Sequence, residues 1–202
     1  MKLLVIGLTG QTGAGKSTLA GVLAEQGIPV IDGDVAAREI TVAGSLVLQE
    51  LAAAFGQDII CEDGSLNRRL LGSRAFATKA NTKKLNAITH PAITVNIENK
   101  IKELQKSGAR AVVIDAAVLL ESGLAERCDI IAVVTAPIEI RLERIMRRDG
   151  LSEAEAMKRI KAQPPDKHYF EKADIILQAH PPSIVKQETE KLMRLIEKTI
   201  NE

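Results

Sequence analysis

Tryptophan is absent from this 202-residue chain, and its aromatic residues are one tyrosine and three phenylalanines. That scarcity excludes an aromatic core. With hydrophobic residues at 46%, the interior must be aliphatic, built mainly on Ala, Ile, Leu and Val. Charge of one sign is also lacking. The formal net charge is +1, so no global field calls for nucleic acid or a membrane as partner, although a local basic cluster can still bind an anionic ligand. Cysteine is rare: Cys61 and Cys128 lie far apart and form no CxxC pair. Both read as small buried or half-buried thiols in a reducing compartment. Long apolar runs are missing too. After Lys2, "LLVIGL" is too short for a signal h-region or a membrane span, and no cleavage site follows. The expectation is a cytoplasmic protein. No internal repeat, low-complexity segment or flexible linker interrupts the chain, whose length suits one domain with an inserted subdomain.

What is present is an alternation of short apolar runs and helical stretches. "KLLVIGL" reads as a buried strand, followed by a helix from Gly15 to about Gln26 that stops at Gly27. "IPVID" at 28–32 closes a β-α-β unit. "VVID" at 112–115, "DIIAVVTA" at 129–136 and "ADIIL" at 173–177 repeat the pattern, and a closing helix runs over about 183–200. Near-continuously apolar strands alternating with helices predict an α/β fold, a parallel five-stranded sheet covered on both faces. Between Ile40 and Gly108 the periodicity is helical, broken by "CEDGSLN" with its Asp63-Gly64 turn signal. One domain over 1–202 is expected, with its core at 1–39 and 109–202 and a helical insertion at about 40–108.

Gly10-Gln11-Thr12-Gly13-Ala14-Gly15-Lys16-Ser17 matches G-x-x-x-x-G-K-[ST], after a predicted strand and at the opening of a predicted helix. Glycines let backbone N–H groups turn inward as an anion nest, and the helix N-terminus adds the positive end of its dipole. Gly13, Ala14, Gly15, Lys16, Ser17 and Thr18 are the candidate phosphate binders. Lys16 would serve the β/γ-phosphates and Ser17 a Mg²⁺ ion. The competing reading, a glycine turn with an exposed lysine, explains neither the flanking strand nor the helix. The motif points to a nucleoside triphosphate and leaves the acceptor open.

Carboxylates follow at strand ends, which in a parallel sheet face the same crevice as such a loop. Asp32 ends the second strand and would hold Mg²⁺ through water. Asp34, two residues on, is placed to take a proton from a hydroxyl, unless it only caps the helix "VAAREI". Asp115 ends "AVVID" at a Walker-B-like position, a further metal candidate, with Glu121 a weaker one. Beyond them, "IEIRLERIMRRDGLSEAEAMKRIKAQ" reads as two short helices, with Ser152 and Glu155 as a capping box for the second. Arg141, Arg144 and Arg148 make one stripe on the first, opposite Leu142, Ile145 and Met146. A one-sided arginine stripe on a hairpin, at about 138–165, suits a lid over phosphates.

"GLTGQTGAGKST", "IDGDVAAR", "DGSLNRRLLG", "LNAITHPAI" and "RLERIMRRDGLSEAEAMKRIKAQ", in this order, resemble the dephospho-coenzyme A kinase family over nearly the whole chain. The phosphate loop is shared by many kinases and GTPases; the Asp-x-Asp-x-x-Ala-Arg, His-Pro and lid segments are far more specific. The resemblance implies the P-loop nucleoside triphosphate hydrolase fold, with a helical acceptor subdomain and a helical lid. It further implies that ATP, with Mg²⁺, phosphorylates the ribose 3′-hydroxyl of dephospho-CoA. Asp34 would be the base, Arg144 and Arg148 would cover the ATP phosphates, and Arg38, Arg68 and His90 would hold the acceptor. The chain departs from the family pattern at Ala117 for proline, Asn67 for aspartate and Ala179 for asparagine. Two rivals remain: another small P-loop kinase, acting on a nucleoside monophosphate or small alcohol, and a nucleotide switch. The switch reading finds no Asn-Lys-x-Asp guanine motif.

Overall fold

The structure, a computed structural model, describes residues 2–201. β1 (Leu4–Thr9) is buried along its whole length. Its backbone runs straight into the glycine loop and then into α1 (Lys16–Glu25), which Gly15 caps from a left-handed conformation. β2 is Val30–Asp32, shorter than "IPVID". The Ile28 N–H is taken by the Leu23 carbonyl, which closes α1, and Pro29 has no N–H to offer a ladder. β3 (Ala111–Asp115), β4 (Ile130–Thr135) and β5 (Ile175–Gln178) complete a five-stranded sheet in the order β2-β3-β1-β4-β5. The recorded ladders of β1 with β3 and β4, and of β4 with β5, are parallel. β5 starts two residues later than "ADIIL" suggests, because Asp174 takes the Ile131 N–H on its carboxylate at 2.7 Å.

Leu4, Ile6 and Leu8 of β1 pack with Leu19 and Leu23 of α1 and with Leu192 and Ile196 of the closing helix α9 (Val185–Asn201). The core is aliphatic, as the missing aromatics require. A fully buried Leu is worth about 1.5–3 kcal/mol against leaving it exposed, so this layer supplies much of the cohesion. On the opposite face of β1, a Cβ at Gly7 would lie 2.5 Å from Leu119 and 2.8 Å from the Cys128 sulfur. Packing there is too close for any side chain.

The chain divides into two compact units: one holds the residues up to Ile31 and from Glu103 onward, the other Asp32–Lys102. The second contains α2 (Gly33–Glu39), α3 (Leu46–Phe55), α4 (Arg68–Ala75) and most of α5 (Lys79–Lys106). Ser45 caps α3 through the Leu48 N–H and Asn67 caps α4 through the Leu70 N–H. Asparagine thus performs the cap that an aspartate would perform. Leu51, Phe55, Ile59 and Leu71 form a core of this unit's own.

Cys61 is exposed, contrary to the expectation of two sheltered thiols. It opens a reverse turn, accepting from the Gly64 N–H at 2.9 Å and donating to the Ser65 carbonyl at 2.8 Å. Such turns run over the surface. Cys128 is half-buried, and burial pushes its thiol up to about 12, with Asp129 adding to the effect.

Candidate phosphate-binding site

The loop between β1 and α1 is shaped by close approaches that only glycine allows. A Cβ at Gly10, where φ is +141°, would sit 2.2 Å from the Val134 carbonyl oxygen. One at Gly13, where φ is +76°, would meet the Arg141 carbonyl oxygen at 2.7 Å. The backbone is therefore drawn tight against β4 and against α6 (Ile138–Asp149). The first amides of α1 have no partners within the helix, so an anion at its N-terminus completes them and meets the positive dipole end.

A cavity of about 460 Å³ opens there, lined by Gly13, Gly15, Lys16, Ser17 and Thr18 together with Arg144, Arg147, Arg148 and Ala179. Lys16 donates from Nζ to the Gly10 carbonyl at 3.0 Å. Ala14 lies outside this lining: its methyl joins the aliphatic core and its N–H donates to Gln11 at 3.1 Å. Arg144 donates to the carbonyls of Gly13 at 3.1 Å, Ala14 at 3.0 Å and Ala179 at 2.7 Å. Position 179 thus contributes through its backbone, which any residue supplies. Arg148 is mostly exposed and pairs with Asp149 at 2.8 Å, which also accepts from Arg159 at 2.5 Å. Arg148 first, then Arg159, hold the Asp149 carboxyl below the usual range.

Contrary to expectation, Arg141 does not line the phosphate cavity with the rest of the stripe. It is only 4% exposed and bonds the loop itself, from Nε to the Thr12 carbonyl at 3.1 Å and from Nη1 to Gln11 Oε1. The cause is the approach of α6 at Gly13, which leaves the first arginine of the stripe facing backbone instead of solvent. Burial lowers its pKa, partly offset by Asp166 and Tyr169. Arg147, Gln11 and Gln163 also belong to this neighbourhood without having been expected. Arg147 was legible as the residue three after Arg144; the two glutamines carried no local signal.

α6 and α7 (Glu153–Lys161) form the hairpin, with the Ser152–Glu155 capping box present. Leu142 and Met146 pack about Ile145, Ala156 and Ile160 on the side away from the arginines. α8 (Asp166–Phe170) follows. Asp115 sits at the carboxyl end of β3, in register with Leu8 of β1, so it shares the sheet end from which the loop departs. Glu121 instead faces His168 at 3.6 Å.

Asp32, Asp34, Arg38, Arg68 and His90 belong to the second unit. The cap of α2 is Asp32, whose Oδ1 accepts from the N–H groups of Asp34 at 2.7 Å and Val35 at 3.0 Å. Asp34 is not the cap: Gly33 is already helical, which puts Asp34 in the first turn with its carboxylate exposed. Arg38 lies one turn on, on the same face. Its carbonyl accepts from the Thr41 hydroxyl at 3.1 Å, and Arg68 donates to that hydroxyl at 2.9 Å. Thr41 thereby brings the Arg68 guanidinium to the end of α2. His90 is half-buried within α5, just before Pro91. Glu39 accepts from Lys100 at 2.8 Å and Asn96 at 2.9 Å, tying α2 to α5. Among the described residues no group of three or more His, Cys, Asp or Glu is placed to hold a metal alone.

A glycine-walled loop between β1 and α1 of a parallel sheet, with lysine and arginines about one cavity, defines the class of P-loop kinases. The profile of the dephospho-CoA kinase family matches residues 4–183. The dephospho-CoA kinase of Corynebacterium glutamicum is 41% identical over 175 residues, 87% of this chain and 88% of that one. A solved structure from Thermus thermophilus shares 30% identity with a TM-score of 0.81 over 98% of both chains. The dephospho-CoA kinase from Campylobacter jejuni shares 27% with a TM-score of 0.72, over 96% of this chain and 98% of that one. The chain belongs to the dephospho-CoA kinase family.

Proposed function

We propose that this chain transfers the γ-phosphoryl group of ATP to the ribose 3′-hydroxyl of dephospho-CoA, giving CoA and ADP as the last step of coenzyme A synthesis. The observation that carries this reading is the single cavity shared by Lys16, Ser17, Arg144 and Arg148 at the N-terminus of α1. The loop amides and Lys16 bind and orient the β- and γ-phosphates, while the two arginines face charge that builds on the transferred group. Asp34 takes the hydroxyl proton on its carboxylate, which is available because Asp32 does the capping. Arg38, Arg68 and His90 hold the acceptor, and the Thr41 hydroxyl anchors the Arg68 guanidinium at the end of α2. Ser17, Asp115 and Asp32 are hard oxygen donors that fit Mg²⁺, which in phosphate sites draws one or two carboxylates plus the phosphates themselves. Bound there, it would neutralise negative charge on the phosphates. Among the described residues no helix is long and apolar enough to cross a membrane, and two unpaired thiols fit work in the reducing cytoplasm.

The test is a coupled ADP-release assay with a panel of acceptors. Dephospho-CoA should outrun nucleoside monophosphates and small alcohols by orders of magnitude. A faster reaction with any of those acceptors overturns the assignment and favours another P-loop kinase.

A further inference from the structure

The phosphate loop is held from behind by contacts that the phosphate-facing residues do not explain. Four hydrogen bonds converge on its second and third residues. Arg141 supplies two, to the Thr12 carbonyl and the Gln11 side chain. The Thr12 N–H donates to Gln163 Oε1 at 2.7 Å, and Gln11 Nε2 donates to the Pro164 carbonyl at 2.7 Å. Both polar groups of the Thr12 backbone and both of the Gln11 amide are thus taken by α6 and by the segment that follows α7. None of these groups lines the cavity of Lys16 and Arg144. We propose that Arg141 and Gln163 are positioning residues: a latch that holds the phosphate loop in its anion-binding shape by gripping Gln11 and Thr12.

Energetics separates this role from ordinary stabilisation. Arg141 is almost fully buried, and its Nη2 finds no hydrogen-bond partner among the described residues. The nearest carboxylate, of Asp166, is 3.9 Å from Nη1 and itself exposed. A buried charge so incompletely paired is a weak source of stability, and apolar replacements of such groups are often neutral or stabilising. What the guanidinium does supply is direction, two donors aimed at two adjacent loop residues. A latch of this kind preserves function at the expense of stability.

The inference rests on the loop being the ATP site, so its test reads ADP affinity by calorimetry with no acceptor present, beside kcat and KM. Arg141→Met keeps an unbranched apolar stem and removes the donors; Gln163→Ala opens the other half. Each should weaken ADP binding and lower kcat by about tenfold or more, a 1 Å misplacement of a reacting group costing up to about 10²-fold. KM for dephospho-CoA should stay within twofold and the melting temperature within a few degrees. The double variant should be no worse than about the weaker single one, because both grip the same two residues. ADP affinity within twofold of the parent in Gln163→Ala, or in a folded Arg141→Met, overturns the latch. Should Arg141→Met fail to fold, Gln163→Ala decides. If dephospho-CoA proves not to be the acceptor, the ADP arm still reads the loop, so the two failures stay distinct.

Discussion

Lys16 and Asp34 carry the most chemistry per atom in the proposed reaction, and each has a substitution that isolates it. Lys16→Ala deletes a charge aimed at the β/γ-phosphates, and losing one such oriented contact costs about 10²–10³ in rate. A steady-state assay that finds activity within a few-fold of the parent would remove the loop from the mechanism. Asp34→Asn leaves the helix cap untouched, since Asp32 provides it. The protein should melt like the parent and bind ATP normally, with kcat down about 10² or more. Asp32→Ala should show the converse on the stability side, a loss of about 1 kcal/mol from α2. The two cysteines offer a pH experiment. An unfolded thiol ionises near pH 8.5, whereas folded Cys128 is pushed up to about 12. The neutral thiol is the form the fold favours. Its stabilising contribution is therefore fully present below about pH 8.5 and is lost as pH climbs towards 12. At pH 8 iodoacetamide should label the exposed Cys61 and leave Cys128 unmodified, as mass spectrometry of the intact protein can count.

At the scale of elements, α6 works on two sides at once. Its apolar side packs on α7, while Arg144 ties the phosphate loop to the segment after β5. Arg144→Ala and Arg148→Ala should therefore lower kcat more than they raise KM for dephospho-CoA. A change confined to that KM would move the helix to the acceptor side. α9 makes the opposite kind of contribution, purely one of packing. Leu192 is fully buried, and Leu192→Ala should cost about 2–5 kcal/mol by calorimetry while leaving the kinetics of surviving enzyme alone. The elements themselves were legible because their signals are local. Apolar runs mark β1, β3 and β4, the Ser152–Glu155 spacing marks α7, and the glycine loop marks the start of α1. Arg141 was not legible in its true setting. Helical periodicity says which residues share a face, but not how closely that face approaches a distant backbone. Asp32 took the capping role that the alternative reading gave to Asp34 for a related reason, since about two residues of helix-boundary uncertainty move the cap. Gln11 and Gln163 were silent because a glutamine latch across the fold has no sequence period at all.

The whole molecule inherits an order of assembly from its strand order. β1 lies in the middle of the sheet, yet its partner β3 pairs Leu4 with Ala111 and its other partner pairs Ile6 with Ile130. The helical unit, Asp32–Lys102, falls between β1 and both of those partners in the chain and carries its own apolar core. During synthesis the helical unit can therefore consolidate while β1, already outside the ribosome, still has no neighbour on either edge. Long-range parallel pairing is slow because loop closure precedes any gain from contact. The apolar face of β1 then waits for α9, which emerges after all five strands. For a translating cell, the phosphate-binding loop is made well before the elements that give it its shape, and the interval is one in which a chaperone has an aliphatic strand to guard.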